Sequence, residues 1–241
     1  MADVKNRSRQ IAEDGAPEFG IAFEMEFVGF RGRCVMYEVC EKVLNQKKIV
    51  LDRARFCSFF LNNTLDGALS KLLAAEGRRM SAEKLAADIR EQFEENMAKK
   101  STAVVPAFAS AVSEAAARNF SVGALSFLSE ESAAQLAERI LPGDRIKIRV
   151  SREGARGLFM RDCWLGLAKM MGLTPRRCLA LVSSAASCRS ALAAEMRCVV
   201  VPDEFTEWQD FAGADEIVEK PEDLDVARLL KLASVKTVSF R

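Results

Sequence analysis

The sequence predicts an α/β fold: a parallel sheet covered on both faces by helices, with an all-helical segment inserted after the first strand. Three observations carry that prediction. From residue 105 onward, apolar runs alternate with amphipathic stretches of about ten to fifteen residues, the pattern of βαβ units. Between residues 33 and 100, apolar residues recur at three- and four-residue spacing with no convincing strand among them. Finally, "CLALV" and "CVVV" are apolar throughout, as strands buried on both faces must be.

Taken in order, residues 1–20 ("MADVKNRSRQIAEDGAPEFG") are polar and lack an apolar run, so they read as a mobile extension and not as a signal peptide. "IAFEMEFV", residues 21–28, alternates as a strand. Three helical segments follow: "RCVMYEVCEKVLNQKK", "DRARFCSFFLNNTLDGALSKLLAAEG" and "SAEKLAADIREQFEENMAKK", the last with Ser81 as N-cap. Phe56, Phe59, Phe60 and Leu61 fall at helical spacing and read as the insertion's own core. "VPAFASAVSEAAARNF" is then a helix and "SVGALSFL" a strand. The helix "EESAAQLAERIL" is broken by Pro142-Gly143 before the strand "DRIKIRV". The loop "SREGARG" leads to the helix "RDCWLGLAKMMGL", the strand "RCLALVSS", the helix "AASCRSALAAEM" and the strand "RCVVVP". A short "DEIVEK" and the helix "PEDLDVARLLKLA" end the pattern.

Composition narrows the chemistry. The 241 residues are 49% hydrophobic, enough for a full core. Thirty-five basic against 34 acidic residues leave a net charge of +1, so nothing steers the chain to nucleic acid. No stretch of about eighteen apolar residues is present to span a membrane. The seven cysteines are odd in number and form no Cys-x-x-Cys pair, which predicts reduced thiols and a cytoplasmic location. Histidine is absent, which removes Ser-His-Asp and Cys-His nucleophiles and histidine metal ligands.

In an open parallel sheet, sites form at the carboxyl ends of strands. The loops after residues 24–26, 126, 150 and 182 therefore matter, and none carries a glycine-rich phosphate fingerprint. Glu24 and Glu26 lie at the first of these. On residue pattern alone, they read as a solvated strand edge.

The segment "RDCWLGLAKMMGLTPRRCLALVSSAASCRSALAAEMRCVVVP" changes that reading. With "VVPAFASAVSEAAARNFSVGALSFLSEESAAQLAERI" and "FAGADEIVEKPEDLD", it resembles the haloacid dehalogenase (HAD) superfamily, specifically the β-phosphoglucomutase-like phosphatases with a helical cap. The resemblance spans Ile21 to about Leu230. It implies a Rossmannoid core from 21–32 and 101–241, with the cap at 33–100.

Such phosphatases carry four motifs at strand ends, and the resemblance implies their places here. The Asp-x-Asp-Gly nucleophile motif falls on Glu24, Glu26 and Phe27. The phosphoryl-binding Ser/Thr falls on Ser126, which is kept. The lysine of the third motif falls on Leu158, with Asp162 retained after it. The acid pair that holds Mg²⁺ falls on Val182 and Ser183. Mg²⁺ is thus expected of the resemblance, but its acidic ligands are missing, which predicts no cofactor. A valine and a neutral hydroxyl are poor donors to a hard cation, and phosphoryl transfer rests mainly on positioning and charge neutralisation.

The residues therefore predict a degenerate HAD-like protein, inactive as a phosphatase and acting as a binding or interaction protein. Its partner would be another protein, a second copy of itself, or a small anionic metabolite. The alternative is a phosphatase or phosphoglucomutase-like hydrolase with atypical Glu24/Glu26 chemistry. Arg31, Arg33 and Arg156, with Arg152 and Arg161 near them, are candidate anion-binding groups, or else pair with the two glutamates to brace the old site. Ser126 and the Ser183–Ser184 pair are expected to cap the helices that follow them.

Overall fold

The first strand, β1 (Gly20–Glu24), is buried along its whole length at the centre of a six-stranded parallel sheet. The structure is a computed structural model and describes residues 15–61, 63–151 and 160–234. The other strands are β2 (Ser121–Ser126), β3 (Ile146–Val150), β4 (Cys178–Val182), β5 (Arg197–Val200) and β6 (Glu216–Ile217). Their order is β3-β2-β1-β4-β5-β6, so the chain first builds outward from β1 on one side and then restarts on the other. The reversal falls between β1 and β4, the place where such sheets open a crevice at their carboxyl ends.

Strand alternation sorts the side chains into two apolar layers. Ile21 and Phe23 face α5 (Pro106–Ala117), α6 (Glu130–Ile140) and α9 (Val226–Ser234). Ala22 faces α7 (Arg161–Met170) and α8 (Ala185–Ala193). The parallel sheet with helices on both faces is as the sequence predicts. The first strand is shorter than predicted, because it ends at Glu24 and not at Val28. Its last partners are Leu181 on β4 and Leu125 on β2, so beyond Glu24 it has no ladder to join. Residues Met25–Gly29 wind instead into one π-helical turn that buries Met25, Glu26, Val28 and Gly29.

Between that turn and β2 lie α1 (Gly32–Gln46), α2 (Arg53–Phe60), α3 (Leu65–Ala75) and α4 (Ala82–Ala98). The second predicted segment is two helices. Asp52 caps α2 through the Arg55 N–H at 2.8 Å, and Thr64 starts α3 afresh through the Gly67 N–H at 3.1 Å. Ser81 caps α4 as predicted, accepting from the Lys84 N–H at 3.2 Å. These helices share their own core, built on Val43, Leu44, Leu69, Leu72 and Ile89, and it includes Phe56 and Leu61. Phe93 and Met97, near the end of α4, belong instead to the sheet's apolar layer. The chain enters and leaves this helical unit side by side, because Phe30 and Val104 form an antiparallel bridge.

Residues 1–14, the greater part of the predicted extension, lie outside the described residues. Among the described residues, no helix is long and apolar enough to cross a membrane.

Candidate functional site

The carboxyl end of β1 brings the first motif together with the second and fourth. Glu24 is 1% exposed, and Glu26, Ser126, Val182 and Ser183 are 0% exposed. The solvated-edge expectation for the two glutamates therefore fails. Glu24 ends the central strand and Glu26 sits in the π-helical turn, so both point into protein.

The two carboxylates have separate partners. Glu24 Oε2 accepts from the Ser183 N–H at 2.8 Å and from the Ser183 Oγ–H at 2.5 Å. Glu26 Oε1 accepts a short hydrogen bond from Ser126 Oγ, while its Oε2 is buried with no hydrogen-bond partner. Burial pushes the Glu26 carboxyl up to about 8, against the lowering pull of the Ser126 hydroxyl. Burial also raises Glu24, and the Ser183 and Ser187 hydroxyls and the Arg33 charge only partly oppose it.

Arg33 closes the network. One guanidinium nitrogen, Nη2, donates to Ser183 Oγ at 3.0 Å, and the other, Nη1, pairs with Asp203 Oδ2. The guanidinium also lies over the Phe27 ring, 4.5 Å from its centroid. Phe27 in turn packs on Phe127, and Phe127 stacks on Phe93 of α4. A row of aromatic rings and one arginine thus lies beside the carboxyl end of β1.

Several expected roles change. Ser126 does not cap α6: it ends β2, bonds Glu26, and accepts the Leu128 N–H at 3.2 Å, while Ser129 is the cap. Of the serine pair, only Ser184 caps, accepting from the Ser187 N–H of α8 at 3.3 Å. Ser183 is taken by Glu24 and Arg33. Arg31 is exposed and paired with Glu222 at 2.8 Å. Arg161 turns from the cleft and donates to the Ala193 carbonyl at the end of α8, 2.9 Å away. Asp162 is exposed in the first turn of α7. Leu158, Arg152 and Arg156 lie outside the described residues.

Next to the buried pair is a cavity of about 220 Å³, lined by Phe27, Phe30, Arg31 and Asp203 among others. Its charged lining is mostly acidic, with Glu204, Glu207, Glu219 and Glu222 against Arg31 and Lys220. An anion would meet net repulsion there.

The residues present do not fit Mg²⁺. The fourth-motif position offers a valine side chain and a hydroxyl whose hydrogen is given to Glu24 and which already accepts from a guanidinium. A hard dication needs several oxygen ligands, carboxylates foremost. Among the described residues, no group of three or more acidic, cysteine or histidine side chains gathers to hold a metal.

Sequence reading missed Asp203 and Phe205. Asp203 Oδ1 accepts from the Phe205 N–H at 2.9 Å and the Thr206 hydroxyl at 3.1 Å, which fixes the loop after β5. Phe205 is thereby driven into the apolar core of the helical unit, 5.2 Å from the Phe56 ring. The Asp-x-x-Thr spacing in "PDEFTE" was the available signal, since aspartate and threonine at that separation build side-chain-bonded turns.

Neither a protein-family model nor a curated protein matches the sequence. Solved structures do match the fold. CbbY from Rhodobacter sphaeroides, in complex with xylulose-(1,5)bisphosphate, aligns with a TM-score of 0.72 at 18% identity, over 85% of this chain and 95% of that one. A β-phosphoglucomutase from Clostridium difficile aligns with a TM-score of 0.71 at 13% identity, over 90% and 97%. A family IA, variant 3 HAD hydrolase from Entamoeba histolytica gives 0.72 at 13%, over 90% and 100%. With its parallel six-stranded sheet, helical insertion and buried strand-end carboxylates, the chain has the fold of the HAD hydrolases in its β-phosphoglucomutase-like form.

Proposed function

We propose that this chain is a HAD-fold protein without phosphatase chemistry, which acts by binding a protein partner. The observation that supports this is burial. The polar motif positions at the carboxyl ends of β1, β2 and β4, Glu24, Glu26, Ser126 and Ser183, are at most 1% exposed, and each is bonded to another group of the protein. In-line attack requires the nucleophile within reach of phosphorus, and an error of about 1 Å can cost on the order of a hundredfold. Here the oxygens that would attack or coordinate hold each other. On this reading α1–α4 are a cap fixed over the core, and the partner surface is on the outside of the molecule. The free cysteines suit a reducing compartment, the cytoplasm.

A second reading is a hydrolase in which Glu24 attacks and Glu26 serves as acid. One observation favours it: with its pKa near 8, Glu26 keeps a proton at neutral pH.

The deciding test is hydrolysis of a broad panel of phosphate esters, with Mg²⁺ and with EDTA, beside the Glu24→Ala variant. The expected result is no turnover above that of the variant. Turnover that disappears in Glu24→Ala would overturn the non-catalytic reading. Light scattering of the purified chain then shows whether the first partner is a second copy of itself.

A further inference from the structure

We propose that Arg33 is the resident cation of this site. Its guanidinium is fixed where the resemblance places Mg²⁺, so the closed cleft neither needs nor admits a divalent ion. The proposal takes from the non-catalytic reading only that Glu24 and Ser183 mark the old metal position.

Three departures from the expected motif turn out to be partners of one side chain. Ser183 stands where an acidic ligand is expected and accepts from Arg33. Phe27 stands where glycine is expected, and its ring face receives the guanidinium. Asp203, on the β5 loop, supplies the counter-charge. Together they hold the guanidinium on three sides. Arg33 is 6% exposed, deep enough for these contacts to fix its orientation.

A metal at the same place would conflict with it. Mg²⁺ on Ser183 Oγ would sit about 2.1 Å from that oxygen, and Arg33 Nη2 is 3.0 Å from it. The two positive centres would be at most about 5 Å apart in a buried site, where charge repulsion is poorly screened. Aspartate at position 183 would instead give a carboxylate bridging Arg33 and the metal. The serine lets the guanidinium and Glu24 share one neutral hydroxyl.

The test is Mn²⁺ binding, followed by the electron paramagnetic resonance signal of the free ion, on the full chain. Wild type is expected not to bind Mn²⁺, while a variant carrying Arg33→Ala with Ser183→Asp gains affinity by at least about tenfold. Mn²⁺ binding by wild type that is lost in Glu24→Gln would overturn the proposal. Because the double variant could fail to fold, a second readout uses wild type alone. The guanidinium N–H resonances of Arg33 should be slow to exchange and unchanged by Mg²⁺. Their shift or broadening on adding Mg²⁺ would overturn the proposal. The ester panel separates this idea from the non-catalytic reading: turnover in EDTA would sink that reading and support a site with its own cation.

Discussion

Arg33 and Ser183, 150 residues apart in sequence, meet at 3.0 Å in the interior, and the hydroxyl that accepts from the arginine donates in turn to Glu24. Arg33 opens the helical unit and Ser183 follows the core strand β4, so this contact ties the two parts together. Removing the guanidinium leaves Asp203 without its counter-ion and Ser183 with an unused lone pair. Deleting one partner of a buried ion pair costs about 3–5 kcal/mol. Because the Asp203 side chain is 20% exposed, about 2–4 kcal/mol is the expectation for Arg33→Ala. Arg33→Lys should recover only part of this, since an ammonium cannot reach both partners with a planar fork. Urea denaturation of the three proteins measures it.

Glu26 makes stability depend on pH. Burial raises its folded pKa to about 8 from the ordinary carboxylate value of 4.5, so the native state holds a proton that the unfolded chain releases. By linkage, the stabilisation is complete below the unfolded value and is lost as pH rises through the folded one. Wild type should therefore lose stability steadily between about pH 5 and pH 8, and Glu24, raised in the same direction, adds to the slope. Glu26→Gln cannot ionise and should flatten much of that fall. Melting temperatures across this range check it, and an equal slope in both proteins would refute the assignment.

Phe205 is a core-loop residue buried in the apolar cluster of the helical unit, against Tyr37 and Phe56. Phe205→Ala should cost about 3–5 kcal/mol, as large-to-small changes at fully buried aromatics do. It should also loosen one part more than the other. Hydrogen exchange is expected to quicken in α2 and α3 and change little in β1 and β4.

How much of this was legible beforehand follows from range. The sheet, its parallel sense and the helical insertion were readable, because strand hydrophobicity and helical spacing are local signals. The separate starts of α2 and α3 were also local, in Asp52 and Thr64, but one continuous apolar spacing masked them. The site was half legible. The motif alignment located Glu24, Glu26, Ser126 and Ser183, and the structure gathers them at one end of the sheet. Their burial was not readable, because alternation in "IAFEMEFV" looks the same whether the strand continues or turns. Nothing nearby in sequence distinguishes Arg33 from Arg31. Arg33 is buried and Arg31 exposed, and the difference is not readable because their partners, Asp203 and Glu222, lie 170 and 191 residues away, beyond any local periodicity.

The position that lets all this close is Gly32. It begins α1 directly against the backbone of the π-helical turn, and a Cβ there would lie 2.4 Å from the Glu26 carbonyl oxygen and 3.0 Å from its carbon. Neither atom is the end of a flexible side chain, so relief requires moving the start of α1 or the turn that carries Glu26. Either shift separates Arg33, the next residue, from Ser183. Gly32→Ala should thus destabilise by about 1–3 kcal/mol, although alanine is the better helix former by roughly 1 kcal/mol. The comparison that isolates the cause is Gly32→Ala made in the Arg33→Ala background. If Gly32 acts by seating Arg33, the second substitution should cost clearly less there than in wild type, since interacting positions are non-additive. Full additivity in urea denaturation would show that the contact with Glu26 matters only for itself.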